Sequence, residues 1–239
     1  MTASSPLTIA TFNIKLGLCR GIDAVAEAVD DLGGFDVLAV QEIGDHWTMG
    51  PGGDVPAQLA EQLGATDVYF VPTIEKPRDD GPPARYGHAL FSRHPIESPQ
   101  WFDLPQNEDE PRRMLHCSIA TDAGRFEVLS THLSHLPSDR PDQGVFLTTW
   151  LAEHPSRGDA RFVLGDLNAT RDEPWMTGLI NQFTDADAKS GRPTFPADNP
   201  ERRIDYVLAQ NAELLDVNVP PLTDVSDHRP VFSRWRIGT

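Results

Sequence analysis

Six short segments of this chain carry oxygen- or nitrogen-bearing side chains beside apolar runs. Four follow such runs: Thr11-Phe12-Asn13, Gln41-Glu42, Ser130-Thr131-His132-Leu133 and Gly165-Asp166-Leu167-Asn168. Two precede them: Arg203-Ile204-Asp205-Tyr206 and Ser226-Asp227-His228-Arg229-Pro230. A buried strand has no packing use for these groups, whereas strand ends are where α/β sheets build sites. Asn13, Glu42, Asp166, Asn168 and Asp227 offer carboxylate and amide oxygens, the hard ligands that Mg²⁺, Mn²⁺ or Ca²⁺ prefer. His132 and His228 can move protons near neutral pH or hydrogen-bond a phosphoryl oxygen. Asp205 is suited to hold one imidazole in its tautomer and favour its charged form. A cation with acid and base groups, and no Cys- or Ser-centred motif, points to metal-assisted hydrolysis. Taken singly, each residue also has a structural explanation. Asn13 could cap a turn, Asp166 and Asn168 could form an Asx turn, Asp205 could be a surface acid, and His132 a satisfied structural histidine.

The elements that must position these groups alternate along the chain. Residues 7–13 read as a buried strand. Ile22, Val25, Ala26, Val29 and Leu32 lie at helical spacing, predicting a helix over 22–33 that Gly33-Gly34 stops. A short strand over 36–41 and a helix over 55–63 follow. Strand-like runs come next at 68–71, 88–92, 114–120 and 126–131, with Gly or Pro in most of the gaps. The second half reads as a helix over 145–151, a strand over 161–164, a helix over 173–180, and strands over 204–209, 214–219 and 231–237. The expectation is an α/β (α+β) fold with two packed mixed sheets flanked by helices, in one domain spanning residues 1–239. The Pro-, Gly- and Asp-rich stretches 43–54, 72–86 and 105–112 read as substrate loops, with 107–110 a solvated acidic run.

Composition narrows the substrate. The chain of 239 residues carries 20 Lys+Arg against 36 Asp+Glu, a formal net charge of −16. Such a surface repels a phosphate backbone unless basic groups are gathered in one place. Only Lys15, Lys76 and Lys189 occur, and the arginines are scattered. A small phosphorylated substrate is compatible with this balance, and avid binding of long nucleic acid is not. A DNase-like groove would require folding to gather Arg85, Arg112, Arg113, Arg192 and Arg202 on one face. No run reaches the roughly 18 apolar residues of a membrane helix, so no membrane span is expected. Cys19 and Cys117 cannot form a disulfide framework or a Cys-rich zinc site, which suits a reducing compartment. The first ten residues carry neither Lys nor Arg nor an apolar core, so the expected location is cytoplasmic.

In order, the segments TFNI (11–14), VLAVQE (37–42), YGHALFSR (86–93), STHL (130–133), GDLN (165–168), RIDYV (203–207) and SDHRPV (226–231) resemble the endonuclease/exonuclease/phosphatase superfamily. This is the group of DNase I-like nucleases, abasic-site endonucleases, neutral sphingomyelinases and inositol polyphosphate 5-phosphatases. The resemblance spans nearly the whole chain and implies a four-layer α/β sandwich of the DNase I-like type. It implies that Asn13, Glu42 and Asp227 sit at a divalent cation, Mg²⁺ before Mn²⁺ or Ca²⁺, with Glu42 the direct ligand. It also implies that Asp166 orients or deprotonates the attacking water, that Asn168 and His228 hold phosphoryl oxygens, that Asp205 bonds to His228, and that His132 faces the leaving-group side. The expected activity is hydrolysis of a small or lipid-like phosphoester, a diester in preference to a monoester. A DNase-like nuclease is the alternative, and a non-catalytic binding module on the same fold the remote one. His88 departs from the Asn that relatives often carry and is read as a packing change. Trp47 could stack on a substrate ring or cover the core. Arg93 and Arg203 are expected to be structural ion-pair partners, and Trp101, Trp150, Trp175 and Trp235 to pack in the core or at its rim.

Overall fold

The structure, a computed structural model, describes residues 5–238. In chain order the elements are β1 (Leu7–Asn13), α1 (Gly21–Asp31), β2 (Val37–Asp45), α2 (Val55–Leu63), β3 (Asp67–Lys76), β4 (Ala84–Ser92), β5 (Ile96–Asp103), β6 (Arg113–Thr121), β7 (Gly124–His132), α3 (Arg140–Glu153), β8 (Ala160–Asp166), α4 (Met176–Ile180), β9 (Thr184–Asp185), β10 (Asp205–Gln210), β11 (Ala212–Asn218) and β12 (Val231–Ile237). They form two six-stranded sheets, ordered β11-β12-β1-β2-β4-β3 and β5-β6-β7-β8-β10-β9. Most neighbours are antiparallel. Each sheet has one parallel pair at its centre, β1 with β2 and β7 with β8.

Alternation along the central strands explains the layering. Ile9, Val37, Ala39, Leu90, Val128, Phe162, Leu164, Val207 and Trp235 point between the sheets and form the inner core. Their neighbours Ala10, Phe12, Leu38 and Val40 face the other way and meet Ile22, Val25 and Val29 of α1 and Leu59 and Leu63 of α2. On the second sheet Val163, Tyr206 and Leu208 meet Leu147, Trp150 and Leu151 of α3 and Met176 and Leu179 of α4. Strands buried on both faces need apolar residues at nearly every position. The result is the expected helix–sheet–sheet–helix sandwich of the DNase I-like type. Helix α2 is framed by local chemistry: the Asp54 carboxylate accepts from Ala57 N at 3.0 Å, and Gly64 closes the helix at φ 62°.

Some elements differ from the sequence expectation. Residues 96–103 form β5, an edge strand whose half-exposed residues lack a clean apolar alternation. Residues 72–86 are mostly the two arms of a β3–β4 hairpin, and β2 continues to Asp45. Helix α3 begins at Arg140, while α4 is confined to Met176–Ile180. Residues 105–112 remain a loop, but only part of the acidic run is solvated: Asn107 and Glu108 are exposed, whereas Asp109 and Glu110 fold back against Arg112. No helix among the described residues is long and apolar enough to cross a membrane.

Candidate active site

Both parallel pairs end on the same side of the sandwich, and there the polar groups meet. Asn13 closes β1 and is fully buried. Its amide nitrogen donates to Glu42 Oε1 at 2.9 Å and to Asp166 Oδ2 at 3.1 Å, so one side chain ties the two sheets together. Glu42 reaches this point through a β-bulge. The register of β2 on β4 passes from Gln41–His88 to Ile43–Gly87 across it, and Glu42 has φ 54°. A bulge re-aims the extra side chain, and the left-handed backbone is a local strain that the surrounding ladder holds. The partner strand is shaped to match: a Cβ on Gly87 would lie 2.0 Å from the Val71 carbonyl oxygen, so no larger residue fits.

Asp166, at the end of β8, is the hub. Gly165 precedes it at φ 141°, where a Cβ would lie 1.9 Å from the Thr131 carbonyl oxygen. Glycine here brings β7 and β8 close enough to set Asp166 Oδ2 3.6 Å from His132 Nε2. On the other flank His228 Nε2 lies 3.7 Å away. Asp166 Oδ1 accepts from the Asn168 backbone at 2.9 Å, and Asn168 occupies the left-handed region at φ 51°, which Asn tolerates. The Asn168 amide donates to the Leu133 carbonyl at 2.9 Å. His228 Nδ1 lies 3.0 Å from Asp205 Oδ2, and the backbone at His228 is fixed through Ser226, whose hydroxyl donates to the Asn13 carbonyl at 2.7 Å. Asp227 pairs with Lys15 Nζ at 2.8 Å.

Electrostatics divides the centre. Burial disfavours the Asp166 carboxylate, and the nearby Asp205 charge adds to this, so its pKa is raised despite hydrogen bonds from Asn13 and the Asn168 backbone and the charge of His228. Burial also works against a charged His228, but Asp205, Asp166 and Asp227 outweigh it and raise its pKa. His132 is driven the other way. Burial and the positive charges of Arg112 and His228 keep its pKa well below the usual value.

Glu42, His132, Asp166, Asn168, Asp227 and His228 line a pocket of about 410 Å³. Asn13 and Asp205 lie behind its wall, both fully buried, and act on it through the groups they hold. All eight residues singled out in the sequence therefore converge. Sequence reasoning missed Tyr86, Asp109, Glu110, His135, Phe195 and Ile204 and named Arg112 and Arg202 only for a nuclease groove; these eight complete the lining. The Arg112-Arg113 pair beside an acidic run was a usable signal for the buried ion pairs of Arg112, and His135 stands three residues after His132. His88 is buried behind this wall and does not line the pocket. Burial lowers its pKa to about 4, against a pull upward from the Arg113 backbone, as suits a packing role. Trp47 leans on Tyr86 with ring centroids 5.7 Å apart and has Lys76 Nζ 4.8 Å from its ring centroid, so it braces a lining residue from outside the pocket. Arg203 makes the expected ion pair, with Asp185. Arg93 instead stacks 5.3 Å over Phe35.

The donor set suits a hard cation. Asp166, Asp205 and His228 present polar atoms within 4.8 Å of one another, but a protonated His228 is no ligand, so the donors open to the pocket are the carboxylates of Glu42, Asp166 and Asp227, with Asn13 joining Glu42 to Asp166. Asp205 Oδ1 is buried without a hydrogen-bond partner. An orphaned carboxylate oxygen just behind the wall of an acid-rich pocket is an acceptor that a bound water would satisfy.

A sequence model of the endonuclease/exonuclease/phosphatase family matches residues 10–228, a span that holds every one of these groups. The chain belongs to this family. It is 31% identical over 160 residues to the uncharacterized protein YbhP of Escherichia coli K12, a match covering 63% of this chain and 62% of YbhP. The structure of a family member from Beutenbergia cavernae superposes with a TM-score of 0.82 at 23% identity, over 98% of this chain and 72% of the other. A mannosyl-6-phosphatase from Bacteroides thetaiotaomicron superposes with a TM-score of 0.76 at 19% identity, over 98% and 100%. At these identities the two structures bear on the fold alone.

Proposed function

We propose that this family member is a divalent-metal-dependent phosphoester hydrolase acting on a small or lipid-like phosphoester, a diester in preference to a monoester. The observation that supports it most is the single pocket into which Glu42, Asp166, Asn168, Asp227, His132 and His228 open, with Asn13 and Asp205 behind them. Glu42, with Asn13 beside it and Asp227 also in the lining, would hold Mg²⁺, Mn²⁺ or Ca²⁺. When bound, such an ion supplies positive charge to the oxygens of the reacting phosphoryl group. Asp166, whose raised pKa suits a proton acceptor, takes a proton from the attacking water. Asn168 and the protonated His228 hold the non-bridging oxygens, and Asp205 keeps the His228 ring oriented.

The charge of the lining favours a singly charged diester over a dianionic monoester. Glu42, Asp109, Glu110, Asp166 and Asp227 stand against Arg112 and Arg202, and Arg112 is already paired with Asp109 and Glu110. The same pairing weakens the nuclease alternative. Arg85, Arg112, Arg113 and Arg192 each bond to a carboxylate, and only Arg112 and Arg202 of the five arginines line the pocket. A location in the cytoplasm would suit these small substrates.

A panel of phosphoesters, assayed with Mg²⁺ or Mn²⁺ and again with chelator, tests this reading. It should contain bis-(p-nitrophenyl) phosphate, a sphingomyelin-type lipid, an inositol phosphate and a DNA duplex over a salt series. Chelator-sensitive turnover of a small diester is expected. Cleavage of DNA alone, falling steeply with salt, moves the assignment to a nuclease. Silence across the panel leaves the binding-module reading.

A further inference from the structure

The pocket is crowded with carboxylates, yet one of its two arginines is matched by none. Arg112 is paired with Asp109 and Glu110. Arg202 is exposed and has no carboxylate partner among the described residues. Its neighbour in the chain, Glu201, accepts instead from the Asn199 amide at 3.2 Å. The Arg202 guanidinium lies over the Phe195 ring, 5.1 Å from its centroid. Phe195 in turn packs on His228, with ring centroids 4.7 Å apart and planes at 46°. A single ring thus separates an unmatched cation from the imidazole assigned to the phosphoryl oxygens. Stacking occupies the face of a guanidinium and leaves the N–H fork at its edge open to a partner.

The backbone fixes this arrangement. Phe195 and Arg202 face each other as an isolated antiparallel bridge, each N–H donating to the other's carbonyl at 2.9 Å. The loop they close is fastened to the site. Thr194 Oγ1 accepts from the N–H groups of Ile204 and Asp205 at 3.2 and 3.3 Å. The Ala197 N–H donates to the Asp227 carbonyl at 2.7 Å. Arg229 adds two bonds, from its N–H to the Thr194 carbonyl at 2.8 Å and from Nε to the Ala197 carbonyl at 2.9 Å. Phe195 and Arg202 are therefore positioned by the same segments that carry Asp205, Asp227 and His228. A guanidinium held in this way loses little freedom on meeting an anion.

With the hydrolase reading above as its basis, we propose that Arg202, seated on Phe195, is a specificity-determining residue. It selects a phosphodiester that carries a second anionic group, a carboxylate or a phosphate, on one arm. The guanidinium fork meets either anion through two parallel hydrogen bonds. The scissile phosphoryl group keeps its single charge at His228 and Asn168, and the second charge is held one ring away. Elsewhere the lining carries Glu42, Asp109, Glu110, Asp166 and Asp227, which repel an anionic arm. The pocket therefore accepts that arm in one orientation and rejects it in the others. A polyanionic strand needs many unmatched cations, and a small substrate with one extra charge needs only this one.

The test is a matched set of p-nitrophenyl phosphodiesters, turned over by wild type, Arg202→Gln and Arg202→Lys with Mg²⁺ or Mn²⁺. The second arm is an alkyl chain of graded length that ends in methyl, in carboxylate or in phosphate. The common leaving group keeps the chemical step alike across the set. Wild type is expected to favour an anionic arm over the methyl arm of equal length by about 10–100-fold in kcat/KM, the range of a hydrogen-bonded charge pair. The carboxylate and phosphate arms show which anion the site takes. Arg202→Gln should lose this preference through KM more than through kcat, and Arg202→Lys should keep part of it. An anionic preference that survives Arg202→Gln overturns the assignment, as does a wild type without one. A loss that is even over all three arms also overturns it, leaving Arg202 as a cover for the Phe195 and His228 rings. Turnover of the methyl-ended esters sustains the hydrolase reading in each of these cases. A wild type inactive on the whole set with either metal removes that reading and this assignment together. Melting temperatures near wild type confirm that the variants are folded, as expected at an exposed position.

Discussion

Two histidines stand at almost the same distance from one carboxylate, and their surroundings push their pKa values in opposite directions. His228 lies 3.7 Å and His132 3.6 Å from Asp166 Oδ2, and both are buried. Burial alone would push both toward the neutral form. What separates them is the next neighbour. His228 has Asp205 on its far nitrogen, whereas His132 has Arg112 behind it. The surrounding charges, reaching across the sheet interface, decide which imidazole favours its cationic form. Proximity to the shared carboxylate does not.

The largest disturbance removes the group they share. Asp166→Asn is expected to lower turnover by about 10³-fold or more while the melting temperature falls only modestly, because an amide keeps the shape and one of the two hydrogen bonds that Asp166 accepts from Asn13 and the Asn168 backbone. A collapse of stability in place of activity would reassign Asp166 to structure. Next come the changes that set the two histidines apart. His228→Gln and Asp205→Asn should each cost about 10²–10⁴-fold in kcat, and in Asp205→Asn the ¹⁵N shifts of His228 should move toward those of a neutral ring. His132→Gln should stay within about 10-fold of wild type, since a neutral histidine lends no cation. Equal losses at His132 and His228 would erase the contrast.

Glu42→Gln acts beside Asp166, through the Asn13 amide that bonds to both. It should raise the Mg²⁺ concentration for half-activation by about 10-fold or more before maximal turnover falls. An unchanged activation curve rules Glu42 out as a ligand.

The smallest effect is a dependence of stability on pH, read in chelator as wild type minus variant. The folded state favours protonated His228, so its contribution is fully present below the ordinary value of 6.5 and is lost as the pH rises from there through its raised pKa. His132 has the opposite sign, its contribution being present above 6.5 and lost as the pH falls. The difference from His228→Gln should therefore slope downward on the alkaline side, and that from His132→Gln should slope upward from the acid side to 6.5. Neither should exceed about 1.4 kcal/mol per pH unit. Slopes of the same sign would show that the neighbours do not divide the two rings.

The sequence reveals the strands that carry this contrast and hides much of the wall around it. Residues 7–13 and the apolar runs at 160–166 and 205–210 are buried on both faces, so their composition is close to unambiguous. The site residues were readable because a polar group interrupting such a run needs a reason. β5 escaped because an edge strand does not need alternation, and Ile96–Asp103 is mostly half-buried or exposed. Asp109 and His135 escaped, and Arg112 was named only for a nuclease groove, for a different reason. They sit in loops, where charged residues are ordinary, and only the tertiary fold brings residues 109–112 against 134–135. The bulge at Glu42 is likewise invisible in VLAVQE, since its positive φ depends on the pairing with β4.

Strand β12 lies against β1 with Trp235 opposite Leu7 and Val231 opposite Thr11, and His228 stands just ahead of it. The first and the last strands are thus zipped together, and their seam carries the turn from Ser226 to His228 to the end of β1. A chain emerging from the ribosome can assemble much of the second sheet early, yet the pocket is complete only once residues beyond 228 are free to fold back against β1.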